Sequence, residues 1–304
     1  MKLVFAGECM VELAPDGACY TKGFAGDTFN MAWYARKICP AAWSVGYVSA
    51  IGSDAVSDEL AAFMSDAGVD ISHVQRHADR TVGLYMISLK DGERSFSYWR
   101  SHSAARQMAA DGATLDSAFA GADVVCISGI TIAVLDGDGR ATLAAALTRY
   151  RADGGQVAFD PNIRPRLWAD APSMCASVMT FAALSDIVLA SFEDEATHFG
   201  DADPAATLQR YQDAGVGCVV VKDGGNPILG ARGDEQVCVA PEPVAMVVDS
   251  TAAGDSFNAG FLVSMLSGAD LATALIGGAS LSRQVIQQRG ALSQDAVRFC
   301  GGAT

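Results

Sequence analysis

DVVCISG (residues 123–129), QVAFDPN (156–162), DIVLAS (186–191) and CVVVKDGG (218–225) follow one another along the chain, and their reading decides the fold. Each is a short, nearly continuous apolar run that closes on small or polar residues. Alanine-rich stretches with helical spacing, such as 140–151 and 204–214, separate them. A strand that is apolar at successive positions is buried on both faces, as happens when parallel strands are joined by helical crossovers. The class is therefore α/β with a mostly parallel sheet. In an open sheet of this kind ligands gather at the carboxyl ends of the strands, where these runs turn small and polar.

Working outward, LVFAG near residue 3 adds a first strand, and the start MKLVFAGECMVEL, whose apolar run Glu8 interrupts, reads as that strand rather than as a secretory segment. Residues 81–100, TVGLYMISLKDGERSFSYWR, break the pattern: they alternate in strand fashion around the turn KDGE, a hairpin signal. A second patch, LAPDGACYTKGFAGD at 13–27, can add another strand pair. Together, segments of about 13–24 and 81–101 predict a small β-sheet lid that leaves the main sheet and can cover a site. No linker, low-complexity tract or internal repeat divides the chain, so residues 1–304 are expected to form one domain.

Composition limits the function classes. Half of the 304 residues are apolar and mean hydropathy is +0.22, which describes a folded chain with a large core. Lys+Arg 21 against Asp+Glu 35 gives a net charge of -14, so a nucleic-acid backbone would meet repulsion. The eight cysteines, Cys9, Cys19, Cys39, Cys126, Cys175, Cys218, Cys238 and Cys300, include no CxxC pair and read as buried free thiols of a reducing compartment. No uninterrupted apolar span approaches the ~18 residues of a membrane helix. The expected place is the cytoplasm, with neither membrane nor nucleic acid as partner.

The strongest local signal is VVDSTAAGDSFNAGFLVSML at 247–266. A strand-like MVVD runs into a turn of small residues, and Asp255 opens an amphipathic helix carrying Phe257, Phe261 and Met265. The unpaired N–H groups of a first helical turn form an anion site, and a carboxylate placed there can take a proton from a hydroxyl within reach. Read alone, Asp255 is more often a helix cap, with Ser250 and Thr251 as turn residues. Neither GxxxxGK[ST] nor GxGxxG occurs, so a P-loop and a dinucleotide fingerprint are excluded.

The run DSTAAGDSF resembles the carboxyl-terminal signature of the ribokinase-like (PfkB) family of carbohydrate kinases, Asp-Thr, a variable residue, then Gly-Ala-Gly-Asp. Asp249, Ala253, Gly254 and Asp255 match; Ser250 stands for threonine and Ala252 for the first glycine. Alanine still supplies an N–H, so anion binding survives there if its φ is negative. The resemblance continues in GFAGDTFNMA (23–32), SAIGSDAVSDELAAFMSDAGVD (49–70), DPNIRPRLW (160–168) and KDGG (222–225), and so covers nearly the whole chain. It implies a three-layer α/β/α fold, ATP and Mg²⁺ as cofactors, Asp255 as the base, and Ala252, Ala253 and Gly254 as the anion turn.

Within the family, GECMVEL, FAGDTFN, SYWRSHSAAR and DPNIRPRLW are similar to the branch that phosphorylates 2-keto-3-deoxygluconate at its C6 hydroxyl. That similarity implies sugar contacts from Gly26, Asp27 and Asn30, lid contacts from Tyr85, Tyr98 and Arg100, and Arg164 on the substrate carboxylate. A guanidinium fork matches a carboxylate, whereas a neutral sugar needs no cation. Read singly, Arg100, Arg106, Arg164 and Arg166 are more often solvated or internally paired, a reading that the motif reverses for Arg164, and Tyr85 and Tyr98 are equally packed hairpin faces. Asn162, Lys222, Gly224 and Gly225 follow strands and are assigned to the nucleotide. Where the family has Asn-x-x-Glu this chain has Ser191 and Asp194, which implies a nucleotide contact from Ser191 and a water-mediated Mg²⁺ contact from Asp194. His73, His77, His102 and His198 have no metal spacing. The lid's exposed sheet edge makes a homodimer plausible.

Overall fold

The computed structural model describes residues 1–90 and 93–298. The tip of the KDGE turn at 91–92 and Cys300 lie outside the described residues. The strands are β1 (Lys2–Ala6), β2 (Met10–Asp16), β3 (Cys19–Ala25), β4 (Ser44–Gly52), β5 (Asp70–His77), β6 (Leu84–Lys90), β7 (Glu93–Trp99), β8 (Val124–Ser128), β9 (Gln156–Asp160), β10 (Ile187–Ser191), β11 (Cys218–Lys222), β12 (Ile228–Arg232) and β13 (Glu235–Val239). Nine form the main sheet, in the order β13-β12-β11-β10-β9-β8-β1-β4-β5. The pairs from β5 through β11 are parallel, and β12 and β13 join antiparallel at one edge.

Successive strand residues enter different cores. Leu3 and Phe5 of β1, Val124 and Cys126 of β8, and Cys218 and Val220 of β11 pack on one face. Val4 and Ala6, Val125 and Ile127, and Val219 and Val221 pack on the other. Apolar residues of both parities therefore form one sheet with helices on each side, the three-layer α/β/α arrangement. Helices 27–38, 55–66, 253–266 and 271–285 cover the first face, and 112–119, 137–152 and 204–213 the second.

β2, β3, β6 and β7 form a separate four-stranded sheet in the order β3-β2-β6-β7, the small sheet expected from segments 13–24 and 81–101. Two readings are corrected. Residues 241–250 contain no strand; the N–H groups of Val248 and Asp249 instead donate to the carbonyl of Ile286. The helix Ala253–Leu266 is not amphipathic, because every residue from Ser256 to Val263 is buried between helices 27–38 and 271–285. All seven described cysteines are free, but Cys19 and Cys238 are exposed rather than buried. Among the described residues no helix is long and apolar enough to cross a membrane.

Candidate active site

The chain leaves β1 in two directions, toward β4 and β5 on one side and toward β8 onward on the other. Crevices at such a switch in strand order are natural ligand sites, and the functional side chains collect there. Helix 27–38 begins against the end of β1. A Cβ at Gly26 would lie 2.1 Å from the Glu8 carbonyl oxygen, so only glycine allows this close approach. The Gly26 N–H donates to Asn30 Oδ1 at 3.4 Å, which orients that amide so that Asn30 Nδ2 donates to Asp255 Oδ2 at 2.7 Å.

Around that contact runs a connected polar set. Asn162 Nδ2 donates to Asp27 Oδ2 at 2.8 Å, and Asn258 Nδ2 to Asp160 Oδ2 at 2.7 Å. Lys222, the last residue of β11, donates through Nζ to Asn258 Oδ1 at 2.9 Å and stands 3.9 Å from Asp160 Oδ2. Burial, then the charges of Asp27 and Asp160, push the Asp255 carboxyl up to about 8, while Asn30 and Lys222 pull the other way. Burial also raises Asp27, against hydrogen bonds from Ser128 and Asn162.

The turn ahead of Asp255 is built for an anion. Among the described residues no acceptor takes the N–H groups of Ala252, Gly254 and Asp255, whereas that of Ala253 is used by the Ser250 carbonyl. A Cβ on Gly254 would sit 3.7 Å from Lys222 Nζ, which places the ammonium beside the same turn. Asp249 holds the turn in shape, accepting from the N–H of Thr251 and of Gly290, both at 2.9 Å. Ala252 has φ +59 and ψ 17, the left-handed region, so the negative φ set as the condition for its anion contact is not met, although among the described residues its N–H is left without an acceptor. The turn keeps its shape without the family's glycine, at the cost of a Cβ clash.

Arg164 lies just beyond this set. Its Nη1 stands 3.6 Å from Asp194 Oδ2 with the side chain 51% exposed, a loose pair that leaves most of the guanidinium open. Burial raises the Asp194 carboxyl, Arg164 lowers it, and the charge of Asp160 raises it again, so the pair adjoins the same crevice. Among the described residues no cluster of three acidic, histidine or cysteine side chains could cage a metal. One half-open carboxylate beside a phosphate site fits a Mg²⁺ ion that keeps most of its water, the usual habit of that ion. Ser191 stands at the start of helix 192–199 without a side-chain cap bond; Glu193, Asp194 and Glu195 in its first turn would repel a phosphate there. Gly224 and Gly225 form an exposed turn after β11.

From the lid, Tyr85 is buried and its hydroxyl donates to Glu12. Tyr98, directly opposite it in the ladder, is 48% exposed with its ring 6.0 Å from that of Tyr85. Arg100 is not free: its guanidinium pairs with the buried carboxylate of Glu8. The structure thus brings Asp255, Asn30, Asp27, Asn162, Lys222 and Gly254 near one another, together with Asp160, Asn258 and Glu8, which the sequence reading did not single out as site residues. Asn258 lies three residues after Asp255, on the same side of the helix, and Glu8 is the charge that interrupts the first apolar strand run.

This geometry has counterparts over the whole chain. The sequence profile described as "pfkB family carbohydrate kinase" matches residues 2–296. The chain is 38% identical to a 2-dehydro-3-deoxygluconokinase of Dickeya dadantii, across 95% of this chain and 96% of that protein. A protein of the same name from Escherichia coli K12 is also 38% identical, with 96% of each chain covered. The crystal structure of a PfkB protein from Polaromonas sp. JS666 superposes with a TM-score of 0.85 at 27% identity, covering 99% of both chains. The profile match and the full-length relatives, over a chain with a half-buried aspartate at an amide-lined helix start in a switch-point crevice beside a four-stranded lid, place it in the pfkB family of carbohydrate kinases.

Proposed function

We propose that the protein transfers the γ-phosphoryl group of ATP to the C6 hydroxyl of 2-dehydro-3-deoxy-D-gluconate, also called 2-keto-3-deoxygluconate, giving the 6-phosphate and ADP. The observation that carries the chemistry is Asp255, half-buried, held by Asn30 through Oδ2, and raised to about 8 beside a turn with three amides that no acceptor takes among the described residues. Full-length relatives at 38% identity support the acceptor.

In this reading Asp255 Oδ1 takes the proton of the acceptor hydroxyl as that oxygen attacks phosphorus in line. The amides of Ala252, Gly254 and Asp255 face the oxygens on which negative charge grows, and Lys222 adds a cation from β11. These donors are fixed before the reaction, so no reorganisation is needed during it. Asp27, Asn30 and Gly26 position the sugar, and Asn162 holds Asp27. Mg²⁺, bound chiefly by ATP with Asp194 reached through water, would neutralise phosphate charge. Arg164 supplies the open cation for the substrate carboxylate, and Tyr85 and Tyr98 close over the sugar from the lid so that water is kept out.

We assign the enzyme to the cytoplasm, working as a homodimer through the lid. Its outer strands β3 and β7 expose Tyr20 and Trp99, which a second copy would cover. Sedimentation showing only monomer at working concentration removes that part. The function itself is tested by coupled ADP release with 2-keto-3-deoxygluconate, its galactonate epimer, gluconate, fructose and ribose. The keto sugar acid should give the highest kcat/KM, and a preference for fructose or ribose would overturn the choice of substrate while leaving the kinase chemistry in place.

A further inference from the structure

We propose that Glu8 is the positioning residue that fixes the lid's Arg100 for the sugar; this rests on reading the crevice as a sugar-acid kinase site. Glu8 lies two residues past the end of β1, at the carboxyl edge of the main sheet, and is 2% exposed. Arg100 directly follows β7 at the edge of the lid, with its side chain 10% exposed. Arg100 Nη2 donates to Glu8 Oε2, so one buried ion pair spans the joint between main domain and lid.

The pair is poorly satisfied for a structural one. Glu8 Oε1 and Arg100 Nε are both buried without a hydrogen-bond partner. A single-point contact of this kind returns less than a bidentate fork, and an apolar pair of the same volume is often as stable or more so. Its persistence at the site needs another reason. Space is also set aside for it: a Cβ on Gly83 would lie 2.7 Å from Glu8 Oε1 and 3.3 Å from Arg100 Cβ. The Gly83 carbonyl accepts from the N–H of Val11 at 2.9 Å, which ties that opening to the root of the lid strand β2.

Held this way, the guanidinium has a fixed place. Its stem leaves the end of β7, Nη2 is anchored on Glu8, and Cζ lies 5.9 Å from the centre of the Tyr98 ring. A guanidinium has five N–H donors, so others remain for a ligand after Glu8 has taken one. Fixing them beforehand removes ordering cost at binding. Glu8 also cancels the charge of Arg100, so Arg100 contributes directed hydrogen bonds while Arg164 contributes net charge. Sugar affinity should therefore depend on Glu8 only through Arg100.

The test is a double-mutant cycle of Glu8→Gln and Arg100→Met, with KM for 2-keto-3-deoxygluconate and for ATP measured separately. Glu8→Gln should raise the sugar KM on the order of tenfold while kcat and the ATP KM stay within about twofold. Arg100→Met should raise the sugar KM at least as much, and the double variant should be no worse than Arg100→Met alone. An unchanged or lowered sugar KM in Glu8→Gln, equal changes in both KM values, or effects that multiply in the double variant would each overturn the proposal. If Arg100→Met fails to fold because Glu8 is stranded, Arg100→Lys replaces it in the cycle, since it keeps the charge paired while losing the fork. A wild type that turns over only a neutral sugar defeats the substrate reading, and the cycle run on that sugar still decides the role of Glu8.

Discussion

The anion turn and the lid are both polar, but they satisfy their polar groups in different ways. Around Asp255 the carboxylates of Asp27, Asp160 and Asp255 have an asparagine each, with Lys222 among them. In the lid the aromatic rings of Tyr85, Phe96 and Tyr98 form a cluster in which each meets the other two, two of them substantially exposed, and the ion pair at its root leaves two polar atoms unmet. A region whose side chains are already paired before substrate arrives, with only the turn's backbone amides left open for an anion, does chemistry common to many acceptors. A region left incomplete is where the acceptor is chosen.

The hardest blow to the complete region is Asp255→Asn. The amide can still accept from Asn30, so fold and binding should persist while turnover drops by about 10²–10⁴-fold, the usual worth of a general base. Near-normal kcat in the purified variant would break the assignment. The proton balance gives a second readout. Asp255 ionises near its ordinary 3.8 when unfolded and about 8 when folded, so the folded state holds an extra proton between those values. The stability this carries is full below 3.8 and drains as pH rises toward 8. Asp255→Asn has no such loss, so its melting temperature should exceed that of the wild type increasingly from pH 4 to pH 8. In the wild type kcat/KM should climb with pH through about 8, where the base is half ionised, and level off only above it. A flat profile from pH 6 to 8 would show that the free enzyme's base is not this carboxyl.

On the choosing side, Arg164→Met should lower kcat/KM for the sugar acid on the order of 10²-fold or more, with a much smaller effect on fructose. The substrate carboxylate would lose its counter-charge on leaving water, a cost that a neutral sugar never incurs. Equal losses on both sugars would mean that Arg164 serves the phosphates through its neighbour Asp194, and the line between the two regions would have to be redrawn.

Legibility in the sequence followed the same division. The parallel strands could be read because both parities of β8, β9, β10 and β11 are apolar, and the anion turn because small residues, an aspartate and a helix start are contiguous. β12 and β13 carry no such signal: ILGAR and EQVCV are short and are interrupted by Gly230, Arg232, Glu235 and Gln236. MVVD was read as a strand from its composition, yet Met246, Val247 and Val248 are exposed, and their chain bonds to Ile286 rather than to a sheet neighbour. The partners of Arg100 and Arg164 were illegible for a different reason. Glu8 is 92 residues from Arg100 in sequence, and only the joint between two sheets brings them together.

The smallest expected effect tests whether the two regions are mechanically joined. Ala252 occupies the left-handed region at φ +59, and its side chain packs on the cluster of Met10, Ala25, Tyr85, Ile87 and Ala291, of which the first four belong to lid strands. Ala252→Gly should relieve about 1–2 kcal/mol of backbone strain, offset by about 0.4–1 kcal/mol from the freer unfolded chain and by the lost methyl contact. The net gain in stability should therefore be no more than about 1 kcal/mol, a shift of a few degrees at most for a domain of this size. Amide exchange should move more selectively than the melting point. With the methyl gone, β6 should exchange faster in the ligand-free protein, whereas helix 253–266, buried on nearly every side, should not change. Faster exchange in both would mean that the anion turn has come loose. No change in β6 would mean that the methyl carries no coupling to the lid and that the two regions act independently.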